Sequence, residues 1–236
     1  MLIPKAEDAV HKAWMYRVLT AIADDIFLAS HIFFKGGTCA AMRGLLDRFS
    51  IDLDFDLVDA AKIKEVRLHL EKIFVDLSLV ISDKSKKSPQ YFLKYQTKAG
   101  TRNSLKIDIS FPPPKNNDYE PVRFDELDRI LKCQTVEKMF ANKLLAVMGR
   151  YQKHGSVAGR DLFDIHSFLL KGFEFKKEII QEVSGKSAKA YLKELKIFIE
   201  KHFTQTIIDE DLNHLLTVEQ FKKNRKTLKN EVVAFL

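Results

Sequence analysis

Three aspartates alternate with apolar residues in the run Ile51-Asp52-Leu53-Asp54-Phe55-Asp56-Leu57. In a strand, side chains point alternately to the two faces. Ile51, Leu53, Phe55 and Leu57 then enter a core, and the three carboxylates share the opposite face. Same-face neighbours lie roughly 7 Å apart. Like charges so placed repel, and aspartate is a poor strand former. A hard divalent ion such as Mg²⁺ removes the conflict, because it is held by one or two carboxylates plus phosphate oxygens. A solvated edge strand accounts for the same alternation without a ligand, since edge charges deter aggregation.

The preceding segment favours the metal. Gly36-Gly37-Thr38 follows a strand candidate, Ile32-Phe33-Phe34, and leads into a short helix from about Cys39 to Leu46. Glycines let backbone N–H groups approach an anion closely, and a helix start adds a favourable dipole. A glycine pair alone also marks ordinary turns. Followed one short helix later by a strand bearing Asp-x-Asp, it points to a turn that holds triphosphate while the carboxylates hold bridging metal ions.

Downstream, Val136, Met139, Phe140 and Val147 fall within one apolar sector of a helix. Lys143 lies in the middle of that sector and Arg150 near its edge. A lysine there either snorkels to water or meets an anion such as a triphosphate. Asp161 opens a helix containing Ile165, Phe168 and Leu169, where an aspartate often serves only as an N-cap. Asp164, one turn later, supports Arg160 or a neighbouring helix on this pattern.

These residues need elements to position them. Asp8–Ala23 and Ala61–Phe74 carry helical periodicity, and Ile51–Val58, Tyr91–Gln96 and Leu105–Phe111 resemble strands. Ser82–Pro89 is polar and lysine-rich, as in an exposed loop. Pro112-Pro113-Pro114 must end a strand, because prolines cannot donate ladder hydrogen bonds. Beyond it the pattern is helical, with breaks near Gly155, Gly172 and Gly185. The expected division is a strand-bearing core over residues 1–112 and a helical domain over 119–236.

Bulk properties set outer bounds. The 236 residues are 46% hydrophobic and 30% charged, as in a globular rather than a disordered chain. The net charge of +7 attracts polyanions such as RNA or nucleotides. Lys84, Lys86 and Lys87, and Lys222, Lys223, Arg225, Lys226 and Lys229, either contact RNA phosphates or are simply solvated. Cys39 and Cys133 sit in unrelated contexts without CxxC spacing, which argues against zinc and disulfides. The histidines show no metal-ligand spacing. Met1–Asp8 lacks a signal-peptide pattern, and the apolar stretch Ile26–Phe34 is too short to span a bilayer. The expectation is a soluble cytoplasmic protein with no membrane segment.

Phe34-Lys35-Gly36-Gly37-Thr38, followed by Arg48-Phe49-Ser50-Ile51-Asp52-Leu53-Asp54-Phe55, resembles the signature of AbiEii-type nucleotidyltransferases. These are toxin components of bacterial abortive-infection toxin–antitoxin systems, within the DNA polymerase β-like superfamily. The stretch from Glu137 through Lys143, Leu144 and Ala146, then Arg160-Asp161-Leu162-Phe163-Asp164-Ile165, is similar to the family's second block. The resemblance runs roughly from Ile32 to Phe168. It implies an α+β fold, a nucleotidyltransferase-like mixed β-sheet flanked by helices and followed by a helical C-terminal domain. It implies that Lys35, Gly36, Gly37 and Thr38 form the phosphate-binding turn and that Asp52 and Asp54 hold two Mg²⁺ ions. Lys143 and Asp161 correspond to residues of nucleotide binding and catalysis, and Asp56 lies outside the motif as an outer group. Superfamily members draw a third carboxylate from a neighbouring strand, a place Asp108 fills as a candidate general base, although a solvated strand face also explains it. The implied activity moves a nucleotide from an NTP to an acceptor hydroxyl, such as a tRNA 3′ end, and a cognate antitoxin relieves the resulting growth inhibition. A small-molecule or protein side-chain acceptor stays open, as does a non-catalytic nucleotide-binding module.

Overall fold

The computed structural model describes residues 5, 6 and 8–236. Met1–Pro4 and Glu7, part of the stretch read for a leader, lie outside the described residues. Helices α1 (Asp8–Asp24) and α2 (Ile26–His31) lead into strand β1 (Ile32–Lys35), which runs directly into α3 (Gly36–Met42). There follow β2 (Asp52–Leu57), α4 (Ile63–Asp76), β3 (Val80–Lys84), β4 (Gln90–Lys94), β5 (Ser104–Ser110), β6 (Tyr119–Phe124) and β7 (Arg129–Gln134). The rest is helical: α5 (Val136–His154), α6 (Gly159–Leu170), α7 (Lys177–Ser184), α8 (Ala188–His202), α9 (Gln205–Leu212), α10 (Val218–Asn224) and α11 (Leu228–Phe235).

The strands form one sheet in the order β3-β4-β5-β2-β1-β7-β6. It is mixed: β2 with β5 and β1 with β7 are parallel, and the other neighbours are antiparallel. This is the α+β architecture that the resemblance implies. Alternation decides which face is core. Leu53, Phe55 and Leu57 of β2 and Leu105, Ile107 and Ile109 of β5 are all but fully buried. Each such side chain contributes about 1.5–3 kcal/mol through burial. Helix α1 packs on β5 and β7, and α4 packs on β3 and on α1.

Two segments depart from the periodicity. Ser82–Pro89 is not wholly loop, since its first residues belong to β3. That strand lies at the sheet edge with Val80 63% exposed, so no buried face imposes an alternation. Residues 119–134 are β6 and β7 rather than helix, and the helical run begins at Val136. The prolines end β5, but the chain re-enters the same sheet on the far side of β1. Finally, Cys39 and Cys133 are not in unrelated surroundings. Both are fully buried, and burial together with a hydrogen bond between the thiols raises the Cys39 pKa well above its ordinary value. No helix among the described residues is long and apolar enough to cross a membrane.

Candidate nucleotide site

Strand register builds the site. Lys35 on β1 lies opposite Asp54 on β2, Asp54 opposite Asp108 on β5, and Asp108 opposite Gln90 on β4. With neighbouring strands about 4.8 Å apart, these four residues form a polar row across one face of the sheet. Asp52 lies one strand repeat away, opposite Lys106. Asp52 and Asp54 are half-buried, whereas Asp56 is fully buried. Burial and the neighbouring charge of Asp52 push the Asp54 pKa up to about 6, against the opposing pull of Lys35 and Lys143. Asp54 is thus a carboxylate short of positive charge, which suits a cation.

The other two carboxylates on this face have partners. Asp56 Oδ1 accepts from Lys35 Nζ at 2.6 Å, and its Oδ2 accepts from Tyr119 at 2.9 Å and from Asn117 at 3.2 Å. This satisfies Asp56 away from the cleft, and it ties Lys35 to the protein. Asp108 Oδ2 accepts from Gln90 at 2.8 Å and from Lys106 at 2.7 Å.

The glycine turn presses on the same strand. Gly36 has φ +78°, and a Cβ there would lie 2.4 Å from Asp54 Oδ2. A Cβ at Gly37 would lie 2.7 Å from an Arg48 guanidinium nitrogen and 3.0 Å from Ser50 Oγ. Thr38 is fully buried; its hydroxyl donates to the Asp52 carbonyl at 2.5 Å and lies 2.8 Å from Ser50 Oγ. Its side chain therefore fastens α3 to β2, and only its backbone faces outward chemistry.

Helices α5 and α6 supply paired charges. Asp164, fully buried, accepts from Arg48 Nε at 2.5 Å and Nη2 at 2.8 Å, and pairs with Lys143 Nζ at 2.7 Å. Burial alone would raise the Asp164 pKa, but Arg48 and Lys143 pull it down to about 2. The anion that Lys143 meets is thus a carboxylate of the chain itself. Asp161 accepts from Arg150 Nε at 2.8 Å. It is not the N-cap of α6, a position that Ala158 holds.

Asp52, Asp54, Lys106, Lys143, Arg150, Arg160 and Asp161 line one cleft of about 160 Å³ with Gly37, Ser50 and Leu215. Asp108, Asp56 and Lys35 share that sheet face with Asp54 but do not line the cleft. Arg48, Asp164 and Leu215 carry no site role in the sequence patterns. Periodicity held a partial signal for the pairing: Lys143 and Arg150 are two turns apart on α5, and Asp161 and Asp164 are one turn apart on α6. Among the described residues, no group of three or more His, Cys, Asp or Glu side chains is arranged to hold a metal ion alone.

The family model described as the AbiEii nucleotidyl transferase toxin of type IV toxin–antitoxin systems matches residues 17–232. Among solved structures, the chain is similar to JHP933 from Helicobacter pylori, at 20% identity and a TM-score of 0.59 over 99% of this chain and 91% of that one. It is also similar to MenT4, a nucleotidyltransferase toxin from Mycobacterium tuberculosis H37Rv, at 14% identity and a TM-score of 0.53 over 97% of this chain and 85% of that one. At such identities the likeness is one of fold. None of the curated protein sequences compared with the chain matches it. The family match includes the glycine turn, the aspartate strand and the paired charges of α5 and α6, and the chain belongs to the AbiEii nucleotidyltransferase toxin family.

Proposed function

We propose that the chain moves a nucleotide from an NTP to an acceptor hydroxyl and releases pyrophosphate. The observation that carries this reading is Asp54: half-buried, beside Asp52, opposite Asp108, and under a glycine with no room for a side chain. Asp52 and Asp54 would hold two Mg²⁺ ions. Such ions, when bound, would neutralise charge on the triphosphate and on the leaving pyrophosphate. Backbone N–H groups of Gly36, Gly37 and Thr38 bind phosphate oxygens. Lys143 and Arg150 add positive charge to the cleft, and Lys35 acts from behind through Asp56. Asp108 accepts the proton of the attacking hydroxyl, and Lys106 and Gln90 hold its carboxylate in place. Asp161 orients Arg150.

The strand-bearing part is then the catalytic core, and the helices from Val136 onward complete the site. A tRNA 3′ end is the acceptor we favour, because the +7 charge draws a polyanion. The biological setting is the toxin of a type IV pair acting in the cytoplasm, held in check by a cognate antitoxin protein and serving abortive infection. Incubation with α-labelled NTP, Mg²⁺ and either total tRNA or cell protein tests the reading. Label is expected on tRNA, and Asp54→Asn is expected to reduce it at least 100-fold. Unchanged transfer and unchanged toxicity in Asp54→Asn would falsify the catalytic reading.

A further inference from the structure

The sheet face that carries the carboxylates does not stop at Asp108. On β4, Phe92 lies opposite Lys106, which lies opposite Asp52, so Asp52, Lys106 and Phe92 form a second row parallel to the first. Phe92 is half-buried but stands outside the hydrophobic core, and its ring stacks on no other ring among the described residues. Lys94, exposed, follows two residues later on the same face, opposite Ser104 of β5. Ser104 in turn lines a second cleft of about 400 Å³ with Arg102 and His214. Lys106 thus borders the carboxylate cleft, and Ser104, two residues earlier on the same strand face, borders the next one.

Resting on the transfer reading above, the geometry points to this β4–β5 face as the seat of the acceptor, and we propose that Phe92 stacks a base of a single-stranded polynucleotide there. The two ends of the row fix the direction. The glycine turn lies on the β1 side of Asp54, so phosphates of the NTP belong there, and Asp108 lies on the β5 side. A hydroxyl that gives its proton to Asp108 must approach from β5 and β4. A ring outside the core offers a stacking platform for any base, and exposed Lys94, with exposed Arg102 two residues before its cross-strand partner Ser104, suits the phosphates between bases. A protein side chain or an uncharged small molecule as acceptor has no need of a half-buried phenyl ring followed along its strand by an exposed lysine.

The test is a titration of the intact chain with a fluorescein-labelled single-stranded RNA of about 12 nucleotides, followed by anisotropy in chelator and without NTP. Phe92→Ala is expected to weaken binding about tenfold, and Phe92→Trp to keep it. Lys94→Glu, at an exposed position, is expected to weaken binding and to make it less dependent on salt. Thermal unfolding of each variant establishes that the fold is intact. RNA binding by Phe92→Ala as tight as that of the unaltered chain overturns the platform, and so does binding of the Phe92 face to protein with none to RNA. No turnover is involved, so this result and the Asp54→Asn transfer assay fail or succeed separately.

Discussion

Gly36 answers two demands at once: a left-handed backbone at φ +78° and no atom where Asp54 Oδ2 stands, 2.4 Å from a would-be Cβ. Gly44 makes only the first demand, with φ +72° and nothing within 4 Å of a Cβ. The pair separates strain from site geometry. Alanine at either position is expected to cost about 1–3 kcal/mol in urea unfolding, because both backbones are strained for an L residue. Only Gly36→Ala also moves Asp54, and displacement of a reacting group by about 1 Å can cost about 100-fold in rate. Label transfer should therefore collapse in Gly36→Ala and persist in Gly44→Ala; equal losses in both would sink the Asp54 contact as the reason for the glycine. At this scale, the residue types and spacings already pointed to Asp52, Asp54 and the turn. Asp164 was not legible as the partner of Arg48, because 116 positions separate them in the chain and no local pattern joins them. Thr38 was legible as part of the turn, but its hydroxyl's commitment to the Asp52 carbonyl depends on how α3 sits on β2.

Between elements, the Asp164 cluster is the joint that holds α5 and α6 to the entrance of β2. Its three charges are buried or nearly so, and a buried ion pair that loses one partner leaves an uncompensated charge. Asp164→Asn is expected to destabilise the fold by about 3–5 kcal/mol at neutral pH. The pH dependence gives a second check. In the folded chain the Asp164 carboxyl is held at about 2, below its ordinary 3.8. The unfolded chain therefore binds more protons between these values, and stability rises with pH across that window. The contribution is fully present above the ordinary value and is lost as pH falls toward 2, a change on the order of 2 kcal/mol. Urea titrations at pH 7, 4 and 3 should show the gap between the unaltered chain and Asp164→Asn narrowing at the lowest pH. A gap independent of pH would mean that the carboxylate charge is not what binds the elements together. Elements with a long periodic face, such as α1, α4 and α5, were legible, and so was β2. β6 and β7 were not: β6 is an edge strand with Pro121 in it, and the turn between them uses Asp128 at φ +52° where glycine would have signalled a hairpin.

For the molecule as a whole, the question is whether the last helices are an appendage or part of the core. The motifs that carry the resemblance run only to about Phe168, whereas the family match runs to residue 232; what ties the later residues to the site is contact across the chain. Leu215 O accepts from Phe49 N–H at 2.9 Å, beside Arg48, and Leu215 lines the carboxylate cleft. Asp211 accepts from Gly159 N–H at 2.6 Å at the start of α6, where a Cβ on Gly159 would lie 3.0 Å from the Ile207 carbonyl oxygen. His166 of α6 bonds Glu231 of α11 at 2.5 Å, and Leu228 and Val232 are fully buried in the same cluster as Met15 and Phe55. Two of the basic C-terminal residues are also spent inside the fold: Arg225 pairs with Asp209, and Lys229 donates to the Glu200 and Phe203 carbonyls. One continuous core of this kind is expected to unfold cooperatively. A chain ending at Phe203 would bare the outer face of α6 and free the strand entrance at Phe49, so it is expected to lose the sharp thermal transition of the full chain. Calorimetry of the two chains decides the matter. A truncated chain that keeps a single cooperative transition at the same midpoint would make residues 204–236 a separate unit, and the carboxylate cleft would then need no wall at Leu215.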